Sequence, residues 1–299
     1  MRTVLLLITL LISCTSILAQ EVNFYENSRG QKHLAGPFPL ATLEQDATYA
    51  SWYSASYEKF ELRDDKAKWA KGLKDAQVTI YMGTWCGDSK NYVPKFVHAW
   101  KEAGLSTDQL TFVGLFGMDQ EGKYKQGPNA EEEDRMIHRV PTFIFERDGE
   151  EFARIVEEPV NDLETDIAQI ALGFPSTPSY RAANYLMEYF SNSDGPDWNV
   201  DQFARGLRYH VQRSSELNTL GYVYLSADKL DEALKVFELN TKLFPHEHNV
   251  YDSYAEALAM NGEKELAQAF YEKVLLLDRF NENATQQIAK LREGGSDAQ

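Results

Sequence analysis

Aromatic and apolar side chains recur at three- and four-residue intervals at Tyr49, Trp52, Tyr53, Tyr57 and Phe60, which predicts helix from Thr42 onward. One aromatic face would pack on the structure that follows. Residues 21–40 before it are polar and turn-rich, ending in Gly36-Pro37-Phe38-Pro39, and read as an extended lead-in. Trp69 to Leu73 continue a helix, and the apolar run Val78 to Met82 reads as a buried strand. A helix then follows through Trp100, and Leu110 to Leu115 form a second strand. An acidic stretch, Glu131, Glu132, Glu133 and Asp134, reads as a solvated loop, because like charges gain nothing by burial. Beyond it Val140-Pro141-Thr142-Phe143-Ile144-Phe145 and Phe152 to Val156 predict two strands joined at Asp148-Gly149, a hairpin turn dipeptide, and Leu163 to Leu172 a closing helix.

From Phe174 the pattern changes. Pro175, Pro178, Gly195 and Pro196 punctuate two helical segments, after which a repeat emerges. In the set Leu217, Leu220, Gly221, Tyr224, Ala233, Phe237 and Pro245, the first six positions return 34 residues later as Tyr251, Tyr254, Ala255, Leu258, Ala267 and Tyr271. These positions resemble the tetratricopeptide consensus. Small residues at Gly221, Ala233, Ala255 and Ala267 would let paired helices approach, with Phe237 and Tyr271 filling the groove between neighbours. Shifting back by the same 34 residues puts Leu186 and Phe203 on matching positions, so residues 180–213 read as a degenerate first unit. Residues 282–293 read as the capping helix that such an array needs.

The order strand, helix, strand, hairpin, helix acquires a sharper meaning at Trp85-Cys86-Gly87-Asp88-Ser89. That segment resembles the active-site motif of the thioredoxin family. Pro94, eight residues after the cysteine, matches the family's helix-kinking proline, and Val140-Pro141-Thr142 matches its cis-proline loop. The resemblance spans about residues 66–173. It implies Cys86 at the N-terminus of a helix, where free backbone N–H groups and the macrodipole favour a thiolate, the nucleophile of disulfide exchange. Asp88, a carboxylate beside it, opposes that effect. The resemblance also implies that the Val140 backbone, beside Pro141, pairs with a client chain while Trp85 shields the exchange.

Two departures from the family pattern alter the chemistry. Ser89 stands where the family has its resolving cysteine, and Ile80 stands where it commonly has a buried aspartate. A serine hydroxyl donates a hydrogen bond to a thiolate but forms no second sulfur bond, so one thiol alone makes a mixed disulfide that another thiol must release. Cys86 and Ser89 are therefore the candidate catalytic residues, and Trp85, Val140 and Pro141 the candidate substrate-binding ones. No cofactor and no metal is implied. His246 and His248 lack a partner cluster, His138 reads as loop packing, and the glycosylation pattern Asn283-Ala284-Thr285 falls on a helix.

Composition narrows the partners. Of 299 residues 43% are apolar and 25% charged, ordinary for a globular chain able to bury a core. Forty-six acidic against thirty basic side chains leave a net charge of -16, which disfavours nucleic acid and anionic membranes. Arg2, the apolar run Val4 to Ile12 and Ile17-Leu18-Ala19 read as an export signal; no later run reaches the length of a membrane span. Leu11-Ile12-Ser13-Cys14 also resembles a lipobox, in which Cys14 would become a lipidated N-terminus. Either cleavage leaves Cys86 as the single thiol of a periplasmic or secreted protein.

The sequence thus predicts an α/β thioredoxin-like fold followed by an all-α tetratricopeptide-type helical repeat domain. Its segments are 1–19, signal peptide; 20–65, extension with an aromatic helix; 66–173, thioredoxin-like; 174–213, connecting helices or degenerate repeat; 214–281, two repeats; and 282–299, cap and tail. The expected activity is monothiol exchange, isomerase-like or adduct-forming, on protein or peptide clients with disulfides or thiols. An external thiol reductant would assist, and the repeats would supply protein binding. The alternative is a non-catalytic interaction module that retains the fold.

Overall fold

Short strands open the chain where the sequence predicts only an extended lead-in. The computed structural model describes residues 22–63, 67–192 and 198–296; the expected signal segment with Cys14, and Gly195 and Pro196, lie outside these. Strands β1 (Phe24–Glu26) and β2 (Lys32–Leu34) form an antiparallel hairpin. Strand β3 (Gly36–Phe38) then pairs antiparallel with β5 (Leu110–Gly114) as an edge of the main sheet. The lead-in is extended, as expected, but it is also part of the sheet. Three-residue strands are too short to show alternation, and Pro37 is tolerated because an edge strand has a side without ladder bonds.

The aromatic segment folds as two helices, α1 (Leu40–Gln45) and α2 (Ala50–Tyr57), rather than one. The break falls at Asp46, whose carboxylate accepts the Thr48 N–H at 2.8 Å and turns the chain. Tyr49 and Tyr53 are buried, and Trp52, Tyr57 and Phe60 pack against the same core, so the aromatic face points inward as its spacing predicts. A 3-10 turn at Lys68–Leu73 leads into β4 (Gln77–Met82) and the long helix α3 (Gly87–Glu102). After β5 come a long loop, β6 (Thr142–Arg147), β7 (Glu150–Val156) and α4 (Leu163–Ala171). Asp148 and Gly149, with φ of 55° and 83°, make the predicted hairpin turn.

The sheet order is β3-β5-β4-β6-β7, with β4 and β5 parallel and the other neighbours antiparallel. Strand alternation divides two apolar clusters. Val78, Ile80, Met82, Phe112, Phe143 and Phe145 face the helices, where Phe96 and Trp100 of α3 stack among them. Tyr81, Val113, Leu115 and Ile144 face the other way, onto Ile137 and Val140 of the long loop. Each fully buried large side chain here contributes about 1.5–3 kcal/mol.

The C-terminal region is helical throughout: α5 (Arg181–Ser191), α6 (Val200–Leu207), α7 (Ser214–Ser226), α8 (Leu230–Leu243), α9 (His248–Met260), α10 (Lys264–Leu277) and α11 (Glu282–Ser296). Helices α7 and α8, then α9 and α10, form the two tetratricopeptide-like pairs. A Cβ at Gly221 would overlap the Phe237 ring, which is why that position must be small. Ala233, Ala255 and Ala267 are wholly buried. Helices α5 and α6 share the core of α7 and α8 through Leu186 and Phe203, as a first unit would. Ala284 and Ile288 of α11 cover the far end.

Candidate functional site

Helix α3 begins at Gly87 with Cys86 as its N-cap, in extended conformation (φ -83°, ψ 131°). Asp88 lies exposed in its first turn and Pro94 within it. Cys86 is half-buried, and its S–H donates to the Val140 carbonyl at 3.2 Å. The Val140-Pro141 peptide is cis. Trp85 closes one side: its indole N–H donates to Leu115 O at 2.9 Å and its ring lies 6.1 Å from that of Tyr124. The structure therefore brings Trp85, Cys86, Val140 and Pro141 together.

Ser89 is also close by but is turned elsewhere. It is wholly buried, and its Oγ accepts the Gly83 N–H at 3.2 Å, so the hydroxyl props the β4–α3 turn. Ile80 is buried in the apolar face of the sheet and offers no proton acceptor beneath the site.

Four successive carbonyls of the loop have assigned donors. Lys125 Nζ donates to His138 O at 2.6 Å, Thr142 Oγ1 to Arg139 O at 2.7 Å, and Glu157 N–H to Pro141 O at 2.7 Å. Val140 O receives the sulfur. This frame ties the site to the helical region. Arg139 reaches Glu157 at 3.3 Å, donates to Ser215 O at 2.7 Å and lies 4.6 Å over the Tyr180 ring, while Tyr180 O–H donates to Glu157. Gln126 donates to Ser226 O at 2.5 Å.

Burial sets the electrostatics. It pushes Lys125 down to about 7, with Arg139 adding to the effect and Glu157 and Cys86 opposing it. It holds His138 well below the ordinary imidazole value, again assisted by Lys125 and Arg139. Burial raises Glu157 and pushes Tyr124 up to about 12. His138 is packed edge-on to Tyr180 with centroids 5.6 Å apart and both ring nitrogens unpartnered, in agreement with loop packing.

Lys125, Glu157 and Tyr180 are the residues that sequence reading missed. Lys125 sits in an aperiodic polar loop, where a lysine is expected in solvent, and nothing local marks it as buried. The acidic loop needs a related correction. Glu132 accepts the Gly127 N–H at 2.7 Å and Glu131 the Asn129 N–H at 3.0 Å, so both are half-buried, and burial raises Glu132. Unpaired loop amides outweigh the repulsion that predicted a fully solvated stretch.

A buried lysine has a measurable consequence. The unfolded lysine binds its proton up to about 10.5 and the folded one only to about 7, so between these values the unfolded state holds more protons and stability rises with pH. Lys125→Met should therefore stabilise the protein by about 1–3 kcal/mol at pH 7, after discounting the bond lost at His138 O. The gap from wild type should narrow toward pH 9.5 in urea titrations. A variant less stable at both pH values would contradict this.

Among the described residues no group of three or more His, Cys, Asp or Glu could hold a metal ion, and no helix is long and apolar enough to cross a membrane. A groove of about 630 Å³ lies apart from Cys86, lined by Arg181, Tyr185, Phe203 and His210 of the first helical unit.

No protein-family model matches the chain, and no curated protein matches it. Similar solved structures include the first TPR domain of the human RPAP3 protein, 19% identical over 38% of this chain and 89% of that one, with a TM-score of 0.29. The first TPR of Spaghetti (RPAP3), bound to an HSP90 peptide, is 19% identical over 38% and 89%, at 0.28. The second TPR domain of human RPAP3, in complex with an HSP70 peptide, is 18% identical over 37% and 92%, at 0.27. The repeat architecture rests on the chain's own paired helices.

Proposed function

We propose that this protein is an exported, thioredoxin-like exchange factor that works through Cys86 alone on protein or peptide clients, which its helical repeats recruit. The observation that carries this reading is the placing of the sulfur: at a helix N-cap, 3.2 Å from the carbonyl that precedes a cis proline. First-turn N–H groups of α3 favour negative charge there. The sheet order and the Trp85–Leu115 contact support the same reading.

In the reaction, the Cys86 thiolate attacks one sulfur of a client disulfide. The client S–S bond breaks, a Cys86–client S–S bond forms, and the other client sulfur leaves as a thiolate. A second thiolate, from the client or from an external thiol, then attacks the mixed disulfide and restores Cys86. With the client's own thiol the cycle isomerises disulfides without net electron transfer. Ser89 takes no covalent part; it holds the turn that presents Cys86.

A second reading, an interaction module without exchange, is favoured by one observation. Val140 and Pro141 are buried and Val140 O is occupied by Cys86, so a client strand must first displace that contact. Incubation of the full chain with the exported protein pool separates the two. Wild type should yield adducts reversible by reductant, and Cys86→Ser none. Absence of adducts from folded wild type would leave the interaction module as the better account.

A further inference from the structure

Lys125 is 3% exposed and adopts left-handed backbone, φ 60°, which costs a non-glycine residue on the order of 1 kcal/mol. Its ammonium lies 2.6 Å from a neutral carbonyl, His138 O, and 4.6 Å over the Tyr124 ring. Glu157, the carboxylate within its electrostatic reach, is paired instead to Arg139 and Tyr180. A buried cation without a dedicated counter-ion is expensive, and a hydrocarbon side chain would serve a purely structural purpose better. The Arg139 charge opposes the ammonium, and Cys86 as an anion favours it.

We propose that Lys125 is the positioning residue of the Cys86 site: its buried ammonium fixes the His138–Val140 backbone that receives the sulfur and supplies the positive charge that stabilises Cys86 as an anion. This rests on the reading of Cys86 as a nucleophile. The geometry makes both effects depend on one side chain. Lys125 holds His138 O, two residues before the Val140 carbonyl that meets Sγ. Tyr124, beside it in sequence, faces Trp85. When the S–H proton leaves, Val140 O loses its donor and the sulfur becomes an acceptor of field rather than a donor of a bond. A positive charge nearby then compensates for the lost hydrogen-bond donor, and the Lys125 ammonium is buried in that same frame. Arg139 and Glu157 form a pair of opposite charges in the same frame, and the charges of Arg154 and Asp88 act on His138 and Glu157; among the described residues Lys125, bonded to His138 O and set over the Tyr124 ring, makes no ion pair.

The test is the pH profile of alkylation at Cys86, followed by peptide-resolved mass spectrometry in the full chain. Lys125→Met should slow alkylation about tenfold at pH 7 and move the profile to higher pH, since a nearby unit charge at intermediate dielectric is worth about that factor. Lys125→Arg, which keeps the charge, should retain most of the rate. Superimposable profiles for wild type and folded Lys125→Met would overturn the proposal. The reciprocal measurement does not require that variant to fold: the Lys125 side chain, followed by NMR, should titrate at lower pH in Cys86→Ser than in wild type. An unchanged Lys125 titration would overturn it equally. Shifted profiles together with no client adducts would refute the exchange reading while leaving the Lys125–Cys86 coupling in place.

Discussion

On the proposed exchange reading, Ser89→Cys should let each chain reduce one client disulfide and end as its own internal disulfide, where wild type stays an adduct until another thiol releases it. Position 89 lies one helical turn after Cys86 on the buried side of α3, and side chains three residues apart on a helix have Cβ atoms about 5–6 Å apart, a spacing a small rotation closes to disulfide geometry. After Cys86 forms its adduct, the new thiol would attack the Cys86 sulfur, expel the client as a thiolate and leave an internal disulfide. Two thiols are then oxidised and one client disulfide is reduced to two thiols, so the electrons balance. Because the attack is intramolecular, the adduct should decay at least about a hundredfold faster than with a millimolar external thiol. The substitution weakens the bond from Gly83 N–H, at a cost of about 1 kcal/mol. Ile80 still offers no proton acceptor, so decay should quicken with pH as the new thiol ionises. Acid-quenched mass spectrometry of the adduct measures the lifetime. If oxidised Ser89→Cys shows no internal disulfide, position 89 does not face the sulfur and the exchange geometry is misread.

The parts of the fold that were legible are those where a physical period runs long enough to repeat. Strand β6 alternates Phe143 and Phe145 toward the helices with Ile144 away, and the Asp148-Gly149 turn marks its end. The 34-residue return places Gly221 against Phe237, an approach only a small residue permits. What failed to show was either too short or held by partners distant in sequence. Strands β1, β2 and β3 have three residues each, less than two alternations. Lys125 is buried by a segment that begins thirteen residues later, through a bond to His138 O that no local pattern encodes. At the site, the cysteine and the cis proline were readable through the resemblance of two short motifs, Trp85 to Ser89 and Val140 to Thr142. The role of Ser89 was not: expected to face the sulfur, its hydroxyl accepts the Gly83 N–H of the β4–α3 turn.

Ala233→Trp should unfold the helical region while the sheet stays protected from hydrogen exchange. Ala233 is wholly buried on α8 among Leu220, Phe237 and Leu239, and these cores fill at close to crystal density. An indole has no space there, so the α7–α8 pair must separate, at a cost of at least about 3 kcal/mol. Array stability is a sum over neighbouring units, and loss of the central pair would also strip α9 of its support. Whether the sheet follows depends on what joins the regions. The apolar cluster around β4 and the one around α7 and α8 share no residue. The links described above are a few hydrogen bonds, Arg139 to Ser215, Gln126 to Ser226 and Tyr180 to Glu157, and the contacts of His138 and Arg139 with the Tyr180 ring. Contacts of that kind contribute about 1 kcal/mol each, too little to carry a collapsed helical pair into a sheet with a full aromatic core. Exchange mass spectrometry at rising urea should therefore show α7 and α8 peptides losing protection first in the variant, with β4, α3 and β6 unchanged. Loss of both sets at one urea concentration would show a single cooperative unit, in which the frame around Cys86 could not form without the repeats.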